Sequence, residues 1–89
     1  MPIDQSKIER ATALARTFGV TRLILFGSAL ENPQAARDLD LACAGVQGWR
    51  LYELGARLEE ELEVPSDLVP LEPPTRFTRY IETKGRRLL

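Results

Sequence analysis

The chain has 89 residues, of which 44% are hydrophobic and 28% charged, with a formal net charge of −1. That describes one soluble globular domain with a thin core, and it excludes a disordered or fibrous chain. The charge balance argues against a general electrostatic grip on nucleic acid or anionic lipid. The sequence has no histidine and one cysteine. Histidine triads, histidine general bases, histidine-bound zinc, cysteine metal clusters and internal disulfides are therefore excluded. A secreted domain of this size would usually need a covalent staple. The N-terminus carries no apolar signal core, and no stretch approaches the ~20 apolar residues of a membrane span. A reducing, cytoplasmic setting without a membrane partner is expected.

Ser6 with Glu9 reads as a capping box. Ile8, Ala11, Leu14, Ala15 and Phe18 then recur at helical spacing, with Gly19 as the stop, which predicts a helix over 6–18. Residues 20–26 are β-branched and apolar and predict a strand covered on both faces. Gly27-Ser28 ends it, residues 28–31 form one helical turn, and Asn32-Pro33 stops that turn. Residues 38–44 alternate with period two and predict a second strand. After a turn at 45–48, Leu51, Leu54, Leu58 and Leu62 mark an amphipathic helix over 49–63. Residues 64–71 are a third strand with Pro65 at its start. Pro73-Pro74 opens a last helix over 75–83 carrying Phe77, Tyr80 and Ile81. Gly85 ends it, and residues 86–89 are a tail. No linker or internal repeat interrupts the order. The chain is expected to be a single α/β (α+β) domain over 1–89, a small mixed sheet flanked by helices.

The sequence holds four aspartates. Asp38 and Asp40 stand two apart on the second strand and share a face, while Leu39, Leu41 and Cys43 point to the core. Two like charges side by side call for a cation between them, and a divalent metal such as magnesium takes oxygen ligands of this kind. A parallel crossover through the 49–63 helix would lay the third strand beside the second, so that Asp67 completes a carboxylate trio. Gly27 permits close backbone approach to a phosphate, and the Ser28 hydroxyl with nearby backbone N–H groups makes an anion site. A phosphate cradle and a metal cradle at one end of a sheet point to metal-assisted phosphoryl or nucleotidyl transfer.

Gly27-Ser28, nine residues, then Asp38-Leu39-Asp40, led by Leu23-Ile24-Leu25-Phe26 and followed by Asp67, resembles the signature of the DNA polymerase β-like nucleotidyltransferase superfamily. At this length the chain is most similar to a minimal nucleotidyltransferase domain of the antitoxin type, paired with an HEPN ribonuclease toxin. The resemblance implies the polymerase β-like nucleotidyltransferase fold, with Asp38, Asp40 and Asp67 as catalytic, metal-binding carboxylates. It implies two magnesium ions, β/γ-phosphates held by Gly27 and Ser28, ATP as substrate, and AMP transfer to a tyrosine of the toxin. Ala29 stands where a basic residue often follows the serine, Glu31-Asn32-Pro33 where the loop often has glycine, and Arg37 where serine often precedes the first aspartate.

An alternative stays open: a catalytically weak or inactive domain of this fold that neutralises a partner by binding it. Transfer to a small-molecule or RNA hydroxyl is a third reading, which the size and charge disfavour. Cys43 is expected to be a small buried residue, Trp49 and Tyr52 core or interface packing, and Glu59-Glu60-Glu61 a solvated helix face. Arg76, Arg79, Lys84, Arg86 and Arg87 form either a basic helix face or a docking patch for an acidic partner.

Overall fold

A computed structural model describes residues 3–89. In chain order it contains α1 (Gln5–Thr17), β1 (Arg22–Phe26), α2 (Ser28–Glu31), β2 (Leu39–Ala44), α3 (Trp49–Leu62), β3 (Ser66–Pro70), α4 (Arg76–Lys84) and β4 (Arg86–Arg87). The strands form one sheet in the order β3-β2-β1-β4. β1 runs antiparallel to both β2 and β4, and β2 runs parallel to β3. The mixed sheet expected from the sequence is present.

Alternation along the central strands divides the molecule into two apolar layers. Leu23, Leu25, Leu39, Leu41 and Cys43 face one way and join Ile8, Ala11 and Ala15 of α1 and Leu54, Leu58 and Leu62 of α3. Ile24, Ala42, Ala44 and Leu71 face the other way and meet Ile81 of α4. Burying each of these large side chains contributes roughly 1.5–3 kcal/mol, so the thicker layer, held by α1 and α3, dominates stability. Burial pushes the Cys43 thiol up to about 11, which leaves it a packing residue.

Several boundaries differ from the sequence reading, each for a local reason. The Ser6–Glu9 capping box does not form. Asp4 is the N-cap of α1 instead, and its carboxylate accepts a hydrogen bond from the Lys7 N–H at 3.0 Å. Ile3, just before the cap, is buried with Ile8 in the same core cluster. That apolar pair staples the chain entry and sets the helix start earlier. At the other end Gly19 and Val20 donate to the carbonyls of Arg16 and Ala15, each at 3.1 Å, and close the helix in a Schellman arrangement. β3 is shorter than the 64–71 expected, and Pro65 precedes it. Thr75 caps α4 through a reciprocal bond with Thr78, which accounts for the one buried polar side chain on that helix.

The segment read as a tail is an edge strand. Arg86 and Arg87 pair with Leu25 and Ile24, and the Leu88 N–H donates to the Leu23 carbonyl at 2.7 Å. Gly85 makes this possible, because a Cβ there would collide with the Ile24 side chain and lie 2.6 Å from the Ile81 carbonyl oxygen. Trp49 and Tyr52 are not core residues: they are 86% and 76% exposed at the start of α3. Their period fits the helix, but they fall outside the stripe formed by Leu54, Leu58 and Leu62. Glu59, Glu60 and Glu61 are exposed, as expected. Among the described residues no helix is long and apolar enough to cross a membrane.

Candidate active site

The site grows out of strand register. Asp40 is the second residue of β2, so its side chain leaves the main core layer and shares the face of Ala42 and Ala44. The parallel pairing of β2 and β3 sets Asp67 opposite Asp40, and the antiparallel pairing of β1 and β2 sets Phe26 opposite it on the other side. The crossover through α3 thus brings Asp67 to Asp40 from 27 positions further along the chain. Asp38 lies just outside β2 and is exposed.

The electrostatics follow from this crowding. The Asp40 carboxyl is held above the usual carboxylate range, first by partial burial, then by the charge of Asp67, then by that of Asp38, and finally by hydrogen bonding with Asp67. Like charges this close favour a shared proton or a shared cation. Among the described residues no lysine or arginine forms an ion pair with any of the three; the pairs present are Arg22–Glu82 and Arg57–Glu61.

Gly27 closes the site from the β1 side. Its backbone has φ 74° and ψ −152°, a region that side-chain-bearing residues avoid. A Cβ at this position would run into the Asp40 carboxylate. The turn of α2 therefore backs directly onto the acidic pair. Ser28 opens that turn and is exposed, and the first N–H groups of a helical turn lack intrahelical partners. Ala29 is 2% exposed and belongs to the core, so this position is a packing position here. Glu31 and Arg37 are exposed.

The structure therefore brings Gly27, Asp40 and Asp67 into contact, with Ser28 and Asp38 at the margin. It also adds residues that the sequence reading left out. Phe26 flanks Asp40 and meets Phe77 of α4 edge to face, with ring centroids 5.8 Å apart. The position of Phe26 directly before Gly27 was the available signal, but only the register with Asp40 gives it meaning.

Carboxylate oxygens with surplus negative charge and no cationic partner suit a hard divalent ion such as magnesium. Among the described residues, however, no three acidic, cysteine or histidine side chains converge in a finished metal cage. Asp40 and Asp67 face one another, while Asp38 stands off at the strand entrance.

An antiparallel pair whose second strand opens on an Asp-x-Asp segment, a parallel crossover strand that carries a third aspartate, and a Gly-Ser turn beside them define a minimal nucleotidyltransferase fold. Comparison with solved structures agrees. A candidate minimal nucleotidyltransferase aligns with a TM-score of 0.71 at 28% identity, over 91% of this chain and 88% of that one. A tri-AMPylated HEPN toxin of Shewanella oneidensis in complex with its MNT antitoxin aligns with a TM-score of 0.75 at 22% identity, over 96% of this chain and 71% of that one. A toxin–antitoxin crystallised with AMP-PNP aligns with a TM-score of 0.75 at 25% identity, over 97% and 73%. No family model and no curated protein matches the sequence. The chain thus has the minimal nucleotidyltransferase fold, and antitoxins bound to HEPN toxins are among the structures that share it.

Proposed function

We propose that this domain is a nucleotidyltransferase that moves AMP from ATP to a tyrosine hydroxyl of a cognate HEPN toxin, and so acts as its antitoxin. The observation that carries the reading is the facing Asp40–Asp67 pair with Gly27 packed against Asp40. The toxin–antitoxin structures of the same fold, one with AMP-PNP and one with a tri-AMPylated toxin, support the choice of nucleotide and partner.

In this reading Asp38, Asp40 and Asp67 hold the metal, as one or two magnesium ions. Such ions, when bound, neutralise the triphosphate and align the attacking and leaving oxygens. Gly27 and Ser28 bind the β- and γ-phosphates through backbone N–H groups and the serine hydroxyl. Asp67, on the edge strand, orients the acceptor hydroxyl and takes its proton. The hydroxyl oxygen then forms a bond to the α-phosphorus, the α–β phosphoanhydride bond breaks, and pyrophosphate leaves.

The test is intact-mass spectrometry of the chain purified with the product of its neighbouring gene, incubated with Mg²⁺ and ATP, beside an Asp38→Asn control. Added AMP on the neighbour, absent in the control, is the expected result. A stable complex without added mass would favour a second reading, a binding module that masks its partner. The burial of Ala29, which leaves no basic side chain directly after Ser28, is the observation on that side.

A further inference from the structure

Asp40 shares its face of the sheet with an aromatic wall. Ile24, Ala42, Ala44 and Leu71 lie on that face with Ile81 of α4, and Phe26 and Val69 pack against them. Val69 is two residues from Asp67 on β3, so strand alternation sets Asp67 on the same face. Phe26 is the partner of Asp40 across β1 and β2. Antiparallel partners stand about 4.5–5.5 Å apart at Cα and put their side chains on one face. Phe26, Asp40 and Asp67 therefore form a row across three strands. Phe77, in the first turn of α4, meets the Phe26 ring edge to face with centroids 5.8 Å apart. Phe77 is 51% exposed, so a large apolar ring stands half in water at the flank of the acidic pair.

We propose that Phe77, backed by Phe26, binds the base of the nucleoside triphosphate by stacking. The proposal rests on the transferase reading above and names the subsite for the nucleoside end of its substrate. The position of the wall selects this occupant over the acceptor. Phe26 directly precedes Gly27, so the wall and the phosphate-binding turn are continuous on β1. In-line displacement keeps the attacking and leaving oxygens on opposite sides of the α-phosphorus. In the transferase reading pyrophosphate leaves on the β1 side, at Gly27 and Ser28, and the acceptor hydroxyl enters on the β3 side, at Asp67. Phe26 and Phe77 are on the β1 side of the acidic pair, where the nucleotide lies.

The chemistry of the ring fixes what it recognises. A phenyl group has no hydrogen-bonding atom, whereas every base has a π-face, so the wall reads the area of a base and not its edge. It favours purines over pyrimidines and does not tell ATP from GTP. The triphosphate end is left to Gly27, Ser28 and the carboxylates, so the two ends of the nucleotide are held by separate groups.

The test is isothermal titration, in Mg²⁺ and without acceptor, of the wild type, Phe77→Leu and Phe77→Trp with ATP, CTP and inorganic tripolyphosphate. Leucine keeps apolar bulk against Phe26 and removes the ring, at a position half in water where the fold has little to lose. Phe77→Leu should weaken ATP about fivefold or more, bring ATP and CTP within about twofold of each other, and leave tripolyphosphate unchanged. Phe77→Trp should bind ATP at least as tightly as the wild type. Unchanged ATP affinity in Phe77→Leu overturns the proposal. So does an equal loss for tripolyphosphate, which marks a distorted phosphate turn. If Phe77→Leu spares ATP but weakens binding of the protein encoded by the neighbouring gene, the wall faces the acceptor and the proposal falls. If the wild type binds ATP but transfers nothing to that protein, the transferase reading fails, and the wall is judged on these affinities alone. If the wild type transfers AMP but binds tripolyphosphate as tightly as ATP, the transferase reading stands and the wall fails.

Discussion

Replacing Gly27 by alanine perturbs the fold and the site through two separable routes. The first is the backbone. At φ 74° and ψ −152° any residue with a Cβ is strained, at a cost of about 1–3 kcal/mol. A domain of this size shifts its Tm by roughly 4–8 °C per kcal/mol, so Gly27→Ala lowers Tm by roughly 4–24 °C. The second route is the collision of the new methyl with the Asp40 carboxylate. That carboxylate is the end of a short side chain and can swing aside, so the collision adds little to the unfolding free energy. It does move the group that pairs with Asp67. A displacement near 1 Å at a reacting centre costs on the order of 100-fold in rate, which is the expected loss in AMP transfer. A cycle with Asp40→Ala separates the routes. In that background the methyl meets no carboxylate, so Gly27→Ala should cost the same stability within about 0.5 kcal/mol. Urea unfolding followed by far-UV circular dichroism gives the stability arm, and intact-mass transfer assays well below the variant's Tm give the other. Transfer by Gly27→Ala within about threefold of wild type would refute the assignment of Gly27 as the backing of Asp40.

Asp40→Asn should abolish transfer yet stabilise the metal-free domain at pH 7. Burial and the charges of Asp67 and Asp38 raise the Asp40 pKa, so the folded state holds a proton that the unfolded state has already lost. Wild-type stability therefore falls as pH rises from the ordinary aspartate range through the raised value. The gain in Asn, about 1 kcal/mol or less for relief of a like-charge pair, should be largest in EDTA at neutral pH and vanish near pH 4. A gain independent of pH would contradict the charge origin. Asp4→Ala should cost about 1 kcal/mol as the loss of a helix cap, while Ser6→Ala stays within about 0.5 kcal/mol, and chemical unfolding of both reverses the reading if the order inverts. Leu54→Ala, at a position with 0% exposure between α3 and the sheet, should cost about 2–5 kcal/mol and leave the domain marginal in a thermal melt.

The sequence by itself determined the elements whose burial pattern is periodic. The leucine stripe of α3 and the alternation of Asp38 to Ala44 each allow one solution, because a helix or strand with an apolar face must turn that face inward. The Gly-Ser turn and the Asp-x-Asp spacing were legible for a related reason: both lie in one short stretch, and strand geometry fixes their relative orientation. The sequence did not show that Asp4, not Ser6, starts α1, since the choice depends on Ile3 packing beside Ile8. It also left Arg86 and Arg87 as a tail, because two consecutive arginines carry no period and pair with β1 only through the close approach at Gly85. The exposure of Trp49 and Tyr52 was hidden too: an aromatic ring at helical spacing looks the same whether a second layer covers it or not. Asp67 stands between the two cases. Its distance along the chain from Asp40 says nothing about contact, and only the parallel register of β3 against β2 brings the two carboxylates together and raises the Asp40 pKa. Local periodicity is written in adjacent residues, whereas the meeting of distant side chains is decided by which layers pack and in what register.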